Sequence, residues 1–571
     1  MKIQEKFKQE KMVGWFDINQ LAGTGIRAVL SSVFGSYSDK RETIASISEF
    51  EVYKRYSEKS ELWFDYLSDT GDGFDSTYTM AHVVSRDSLK LVFGDEEYTT
   101  PRGDLIILGG DQVYPTATRE EYQNRFLGPF GAATPWSEEG RKADMFAVPG
   151  NHDWYDGLTN FTKIFFQKRW IGSWQTQQNR SYFAIELRKN LWIWAIDIQL
   201  EADIDFPQLK YFDEVVTKHM QKGDKVILCS AEPSWIYHTS KKEEKIYQNL
   251  EFFQQKYIVD RGMEQILTLA GDLHHYARYS HELDSGKMHH KITAGGGGAF
   301  LHPTHNLPKK LGNMIEGNYD LKKTFPSRTQ SRKLALGDLL FPLFNISFGR
   351  FLAIIYVVFA WLMYMVSYND SEPGTIFDNF AHYGLGQIWD VKARFFFFLA
   401  NCPEGIFLLL LFPIGFWKFC DVNSSKLKYI GLLGVLHGIA HVTLMLCSIW
   451  LFTYFNFNVL HVDEEHHIIL DAVLTTAELF FVGGFMACVL TGLYLLLSNL
   501  VFGIHDNEAF SAMKIEGYKN FLRFHIKDDK LTIYPVGVKK VSKWKSNGEG
   551  FSTDDILHAR LIEDPIVISL K

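Results

Sequence analysis

Four apolar stretches between residues 340 and 503 constrain this chain more than anything else in it. FLAIIYVVFAWLMYMVS (351–367) carries no charge and extends upstream to Phe341. FFFFLANCPEGIFLLLLFPIGFW (395–417) is long enough but is interrupted by Pro403, Glu404 and Pro413. LKYIGLLGVLHGIAHVTLMLCSIWLFTYF (427–455) and LFFVGGFMACVLTGLYLLLSNLVF (479–502) complete the set. About 20 apolar residues cover the hydrocarbon core of a bilayer. Four spans are therefore expected in a helical membrane domain over 336–503, with the full crossing of the second left open by its prolines and Glu404.

Basic residues set the expected orientation. Lys309, Lys310, Lys322, Lys323, Arg328, Arg332 and Lys333 precede the first span, against Glu316 and Asp320. Lys418, Lys426 and Lys428 follow the second, and NFNVLHVDEEHH after the third has neither Lys nor Arg. The positive-inside rule then puts an N-terminal domain (1–335) and a C-terminal tail (504–571) on the cytosolic side. If the second stretch only dips into the membrane, the tail moves to the other side. MKIQEKFKQEKMVGWF has no apolar signal-peptide core. A length of 571 residues exceeds one core and predicts two to four domains. The net charge of −8 argues against nucleic-acid binding. The 5 cysteines show neither a disulfide framework nor zinc-ligand spacing. Oligomeric state is not legible.

The N-terminal domain reads as a layered α/β core in which apolar runs end in polar punctuation. LWFDYLSDTGDGFDST gives Asp69, Gly71, Asp72 and Asp75. DLIILGGDQVY gives Asp111 and Tyr114, ADMFAVPGNHDWYDG gives Asn151, His152 and Asp153, and ILTLAGDLHHYAR gives Asp272, His274 and His275. A fifth run, KVILCSAEPSW, ends at Glu232. Layered α/β folds gather their sites at the carboxyl ends of strands, so these loops are expected to converge. Carboxylate and amide oxygens with imidazole suit iron, manganese or zinc. An Asp shared by two cations holds them ~3.5–4 Å apart, where they clamp a phosphate and activate water. The tail holds FLRFHIKDDKLTIYPVGV (521–538), whose alternation about Asp528-Asp529 predicts a β-hairpin without chemistry of its own.

The order DxG, GDxxY, GNHD, GDxHxY over residues 60 to 305 resembles the calcineurin-like metallophosphoesterase superfamily, and the tyrosine makes it most similar to the purple acid phosphatases. GGDQVYP, PGNHDWYDGL, GDLHHYAR and GGGGAFLHPTH also resemble a branch of large membrane-associated members. The resemblance implies a metallophosphoesterase β-sandwich flanked by helices. It implies one metal on Asp69, Asp111, Tyr114 and His274, and a second on Asp111, Asn151 and Asp272. Asp111 would bridge them, Tyr114 would ligate iron, and His152 would bind substrate or protonate the leaving oxygen. Two positions depart from the pattern. Asp272 stands where a His is usual, and Ala231 stands where a fifth motif carries a His, leaving Glu232 as the candidate substitute. A site richer in oxygen favours manganese or magnesium over zinc.

Each residue also has a plainer reading. Asp69 reads equally as a helix cap, Asn151 and His152 as a self-satisfied turn, and Tyr114 as a buried aromatic. Gly295–Gly298 reads as a tight turn rather than a phosphate cradle. His437 and His441, four apart, and Asp471 and Glu478 form either an intramembrane functional site or a bundle-holding hydrogen-bonded cluster. The expected function is a membrane-anchored phosphoesterase using a dinuclear metal centre and metal-activated water. Its substrate would be a phosphoester, with a phospholipid or another anionic phosphate suggested by the membrane alone. The alternative, motivated by Ala231, is a catalytically weak or inactive phosphatase-like membrane sensor or scaffold.

Overall fold

The computed structural model describes residues 7–23, 39, 41–199, 203–241, 244–368, 376–382, 392–420, 429–462, 464–548 and 550–571. Lys426 and Lys428 of the orientation argument lie outside them. The chain divides into two compact units: Met1–Val13, Ala22–Arg332 and Lys514–Lys571 form one, Gly14–Leu21 and Lys333–Met513 the other.

The first unit is a two-sheet α/β sandwich. A nine-stranded sheet runs Ala559–Leu561, Lys530–Val538, Lys519–Lys527, Glu61–Leu67, Leu105–Leu108, Ala143–Ala147, Trp174–Thr176 and Trp170–Ile171, with Ile566–Ser569 also paired to Lys530–Val538. The second sheet runs Lys310–Met314, Gly317–Phe325, Tyr276–Glu282, Met288–Ala294, Glu264–Ala270, Lys225–Cys229, Leu191–Ala195 and Phe183–Arg188. Leu105–Leu108 is buried throughout because parallel neighbours flank it on both sides. Its side chains alternate between two cores. Leu105 and Ile107 face the inter-sheet core with Phe64, Tyr66, Ile227, Leu267 and Leu269, while Ile106 and Leu108 pack with Met80, Val84 and Phe161 from the helices outside.

The tail does not stand apart as the 504–571 boundary implied. The expected hairpin forms as Lys519–Lys527 and Lys530–Val538, with Asp528 and Asp529 at φ 52° and 36° in its turn. Its first strand pairs antiparallel with Glu61–Leu67, from Glu61 opposite Lys527 to Tyr66 opposite Leu522. The physical reason is that the edge of Glu61–Leu67 opposite Leu105–Leu108 would otherwise carry unpaired backbone N–H and C=O groups, which this distant strand satisfies. Arg523, fully buried, forks onto Asp65 (2.7 and 3.1 Å) and donates to the Val84 carbonyl (2.8 Å).

In the second unit, Ile346–Val366, Ile430–Asn458 and Ile469–Phe502 are long and apolar enough to cross a membrane. Phe395–Asn401 and Pro403–Phe419 meet at a 103° bend and make a fourth if the pair counts as one. Pro403 restarts the helix after the non-helical Cys402, whereas Pro413 is absorbed within it. His441 meets the Tyr356 hydroxyl at 3.1 Å and Thr491 at 3.3 Å, and the His437 ring stacks on Tyr494 at 4.0 Å. Asn456 donates toward Asp471, Thr475 and Glu478 (3.4, 3.1 and 3.1 Å), so these acids lie in a hydrogen-bonded cluster.

Candidate active site

Three strands deliver acids to one place, each in a strained conformation. Asp69, Asp111 and Asp272 follow the strands Glu61–Leu67, Leu105–Leu108 and Glu264–Ala270, and all have positive φ (59°, 47° and 64°). A non-glycine residue in the left-handed region is uncommon and persists where its surroundings over-determine it. Here the loops bind one another. The amides of Asp69 and Thr70 donate to the carbonyls of Gly110 and Asp111 (3.0 Å each), and the Gly271 amide donates to Ala231 (2.9 Å). The Asp272 amide reaches both Asp69 carboxylate oxygens (3.0 and 2.9 Å).

At the centre stands Tyr114. Its hydroxyl lies 3.2 Å from Asp69 Oδ1, 3.1 Å from Asp111 Oδ2 and 3.0 Å from His274 Nε2. His274 Nδ1 lies 2.8 Å from the Phe300 carbonyl. A carbonyl only accepts, so Nδ1 carries the proton and Nε2 turns its lone pair into the cluster, the tautomer a metal ligand needs. His152 is set in the same way, with Nδ1 donating to the Pro115 carbonyl (2.9 Å). Its backbone N–H donates to Asp111 Oδ1 (2.9 Å), and its ring centroid is 4.4 Å from that of Tyr114.

Small residues let these groups approach. A Cβ on Gly150 would stand 2.1 Å from Asp111 Oδ1, and one on Gly295 would stand 2.6 Å from Asp69 Oδ2. The run Gly295–Gly298 is therefore a close-packing device. The Gly297 amide donates to Ser68 (2.8 Å), and the Ala299 amide donates to the Asp69 carbonyl (2.9 Å). Asp153 braces the turn beneath. Its carboxylate accepts from the amides of Gly150 and Gln112 (2.9 and 3.3 Å) and from the Tyr122 hydroxyl.

Electrostatically the cluster is a buried, carboxyl-lined pocket. Burial, reinforced by Asp111 and Asp272, holds the Asp69 carboxyl well above the usual range. Burial pushes Asp111 up to about 7 and His152 down to about 4, and drives His274 well below its ordinary value. Two adjacent buried carboxylates are costly unless a cation joins them.

The structure thus brings together Asp69, Asp111, Tyr114 and His274, with His152 against them. The second expected set does not converge in the same way. Asn151 sits at the exposed start of its turn, its side chain toward the Tyr155 hydroxyl. Asp272 gives its backbone to Asp69, while its carboxylate accepts from Tyr237, a residue that no motif in the sequence marks. Ala231 is buried, so close to Gly110 that a Cβ there would lie 2.8 Å from the alanine methyl. Among the described residues, no three His, Cys, Asp or Glu side chains are arranged ready to hold a metal ion. The chemistry of the first set nevertheless fits one. Two desolvated carboxylates, a phenol and a correctly tautomerised imidazole meet at one point, and hard oxygen with imidazole suits iron, manganese or zinc.

The tail residue Lys519 lies beside this cluster, fully buried, donating to the Ala299 carbonyl. It sits at the edge of an alternating strand, and no local signal marks it. A cavity of about 660 Å³ elsewhere, lined by Trp361, Ile469, Val473 and Phe480 among others, is apolar and carries none of this chemistry.

Residues 62–276 match the family model for calcineurin-like phosphoesterases. A solved structure titled "Structure of PhoD" is 12% identical, with a TM-score of 0.28; the alignment covers 43% of this chain and 59% of that one. The chain therefore spans less than two thirds of that structure's length. No curated protein matches it. The strand-end acids, the GNHD turn and the histidine described above all lie within the residues that this calcineurin-like phosphoesterase model matches.

Proposed function

We propose that the chain is a membrane-anchored, metal-dependent phosphoesterase whose site is built on Asp69, Asp111, Tyr114 and His274, with Asn151 and Asp272 completing a second metal position. One observation carries the reading: the Tyr114 hydroxyl lies within 3.2 Å of two buried carboxylates and an imidazole delivered from different strands. Bound metal ions would supply Lewis-acid charge on the phosphoryl oxygens and lower the pKa of a water nucleophile. The chain's own residues do the rest. Asp111 presents Oδ2 to Tyr114 and holds the His152 turn through Oδ1, so one carboxylate sets both metal and substrate sides. His152 commits its Nδ1 proton to Pro115, so the neutral ring turns a lone pair outward at Nε2; taking up a second proton there from solvent or from the attacking water would let it bind a phosphoryl oxygen or pass that proton to the leaving oxygen.

Membrane anchoring rests on the three or four apolar helices. If those helices cross, the pairing of Glu61–Leu67 with Lys519–Lys527 restricts how many do, because strands of one sheet lie on one side of a membrane. An even number of crossings between them favours four spans, with the bent pair counted as one. The basic residues before the first span favour the cytosolic side and an anionic substrate, a phospholipid headgroup ester among them. The test is hydrolysis of an aryl phosphate by the full chain in detergent, beside Asp111→Asn. Turnover lost in the variant supports the reading, and no turnover with iron, manganese or zinc overturns it. Equal rates on soluble esters and anionic vesicles would remove the lipid.

A second reading, a weakly active or inactive sensor, is favoured by Ala231 and by Tyr237 occupying the Asp272 carboxylate. Activity gained in Ala231→His would support it; strong wild-type turnover removes it.

A further inference from the structure

The segment Gly295–Leu301 carries no metal-ligand candidate, yet it sets the orientation of one. Its Phe300 carbonyl accepts from His274 Nδ1 (2.8 Å), which leaves Nε2 directed at Tyr114. That peptide is held from both sides. On one side the Ala299 amide donates to the Asp69 carbonyl (2.9 Å), and the Phe300 amide donates to Asp72 Oδ2 (3.2 Å). On the other side the C-terminal segment runs alongside. The Leu301 amide donates to Ile515 (3.0 Å), the Asn520 amide donates to Gly296 (3.0 Å), and Lys519 Nζ donates to the Ala299 carbonyl. Lys519 has 0% exposure, and a buried ammonium is costly unless it is held by partners.

We propose that Lys519 is a positioning residue of the metal site: by fixing the Ala299–Phe300 peptide it holds His274 in its ligating pose, so the segment after the apolar helices completes the site. The inference rests on the phosphoesterase reading above. Without the Nζ donor, the Ala299 carbonyl is left buried and unpaired, a state expected to shift the peptide rather than persist. The Phe300 carbonyl then moves, and the imidazole follows it. Groups that orient a metal-ligating histidine typically change metal affinity or activity by about 10–100-fold when removed.

The test uses the full chain in detergent, with Lys519→Met as the variant. Two quantities are read on each sample: manganese bound at equilibrium dialysis, by elemental analysis, and kcat and KM on an aryl phosphate. His525→Ala is the control, on the same strand and stacked on Trp63 at 3.9 Å, away from the cluster. Lys519→Met is expected to lose about 10–100-fold in manganese affinity or kcat with KM unchanged. Lys519→Arg should recover part of the loss, and His525→Ala should lower the melting temperature only. A folded Lys519→Met with wild-type manganese affinity and kcat overturns the proposal. Should Lys519→Met not fold, Lys519→Ala, which likewise leaves no donor for the Ala299 carbonyl, replaces it: the same loss supports the proposal, and wild-type manganese affinity and kcat overturn it. A wild-type chain that neither binds manganese nor turns over contradicts the phosphoesterase reading itself, a different outcome from an active wild type matched by its Lys519 variants.

Discussion

Removing the Arg523 guanidinium should unfold the two-sheet unit at a markedly lower temperature, although Arg523 lies 458 residues from its partner. Arg523 is 0% and Asp65 2% exposed, and the fork between them is bidentate at 2.7 and 3.1 Å. In Arg523→Met, Asp65 keeps the Gly103 amide at 3.2 Å but loses its counter-charge, and the Val84 carbonyl loses its donor. Breaking a buried pair from one side costs about 3–5 kcal/mol. At ~2–4 °C per kcal/mol for a domain of a few hundred residues, the melting temperature should fall by roughly 6–20 °C. The double variant Asp65→Leu/Arg523→Met removes both charges and should recover much of the loss, since apolar replacement of a whole pair is often near neutral. The assay is tryptophan fluorescence against temperature on the full chain in detergent at one scan rate, because unfolding of such a chain is expected to be irreversible. A single variant melting with wild type, or a double variant worse than both singles, would refute the claim that the C-terminal strands belong to this core.

Gly150→Ala should fold yet lose ~10²-fold or more in kcat/KM, because its methyl would stand 2.1 Å from Asp111 Oδ1 and a misplacement of about 1 Å is that costly; wild-type kinetics would contradict the geometry. Tyr114→Phe removes the hydroxyl shared by Asp69, Asp111 and His274. If the metal is ferric iron, its visible charge-transfer band should vanish, and a band that persists would exclude Tyr114 as the ligand. Burial pushes the Asp205 carboxyl up to about 6. The folded state therefore holds this proton more tightly than the unfolded chain, whose carboxylate titrates near 3.9, and stability falls as pH rises from about 4 through 6. Asp205→Asn should thus raise the melting temperature at pH 8 and leave it unchanged at pH 4; a decrease at pH 8 would contradict the sign. Chelation should lower the melting temperature of the metal-loaded chain by mass action, and an unchanged melt would count against a resident metal.

The layered strands and their acids were legible because each is written locally, whereas the two-sheet sandwich followed only from the resemblance. A buried strand reads as an apolar run, and Gly-Asp or Gly-Asn-His at its end reads as a loop leaving a sheet. The broken second apolar helix was likewise marked by Pro403. What the tail does was not legible. Its hairpin follows from the alternation about Asp528-Asp529, but its partner strand is more than 450 residues earlier, and β periodicity carries no record of which edge a strand will join. Arg523, His525 and Lys527 read as the polar face of that strand, yet Arg523 is fully buried. Lys519 is hidden for the same reason. The convergence on Tyr114 was expected from the resemblance, whereas the Tyr237 hydroxyl on the Asp272 carboxylate has no counterpart in the motif pattern. A fragment ending at 335 would also lack the strand that covers Glu61–Leu67, so the intact chain is the sample for every assay.

The most direct measurement is a metal titration of the metal-free full chain, with bound metal and aryl-phosphate turnover read on the same sample, beside Asp111→Asn. Turnover is expected to rise in step with bound metal toward two ions per chain, and Asp111→Asn to lose both. Turnover that is independent of bound metal, or metal that binds without any turnover, would contradict metal-dependent hydrolysis at this site.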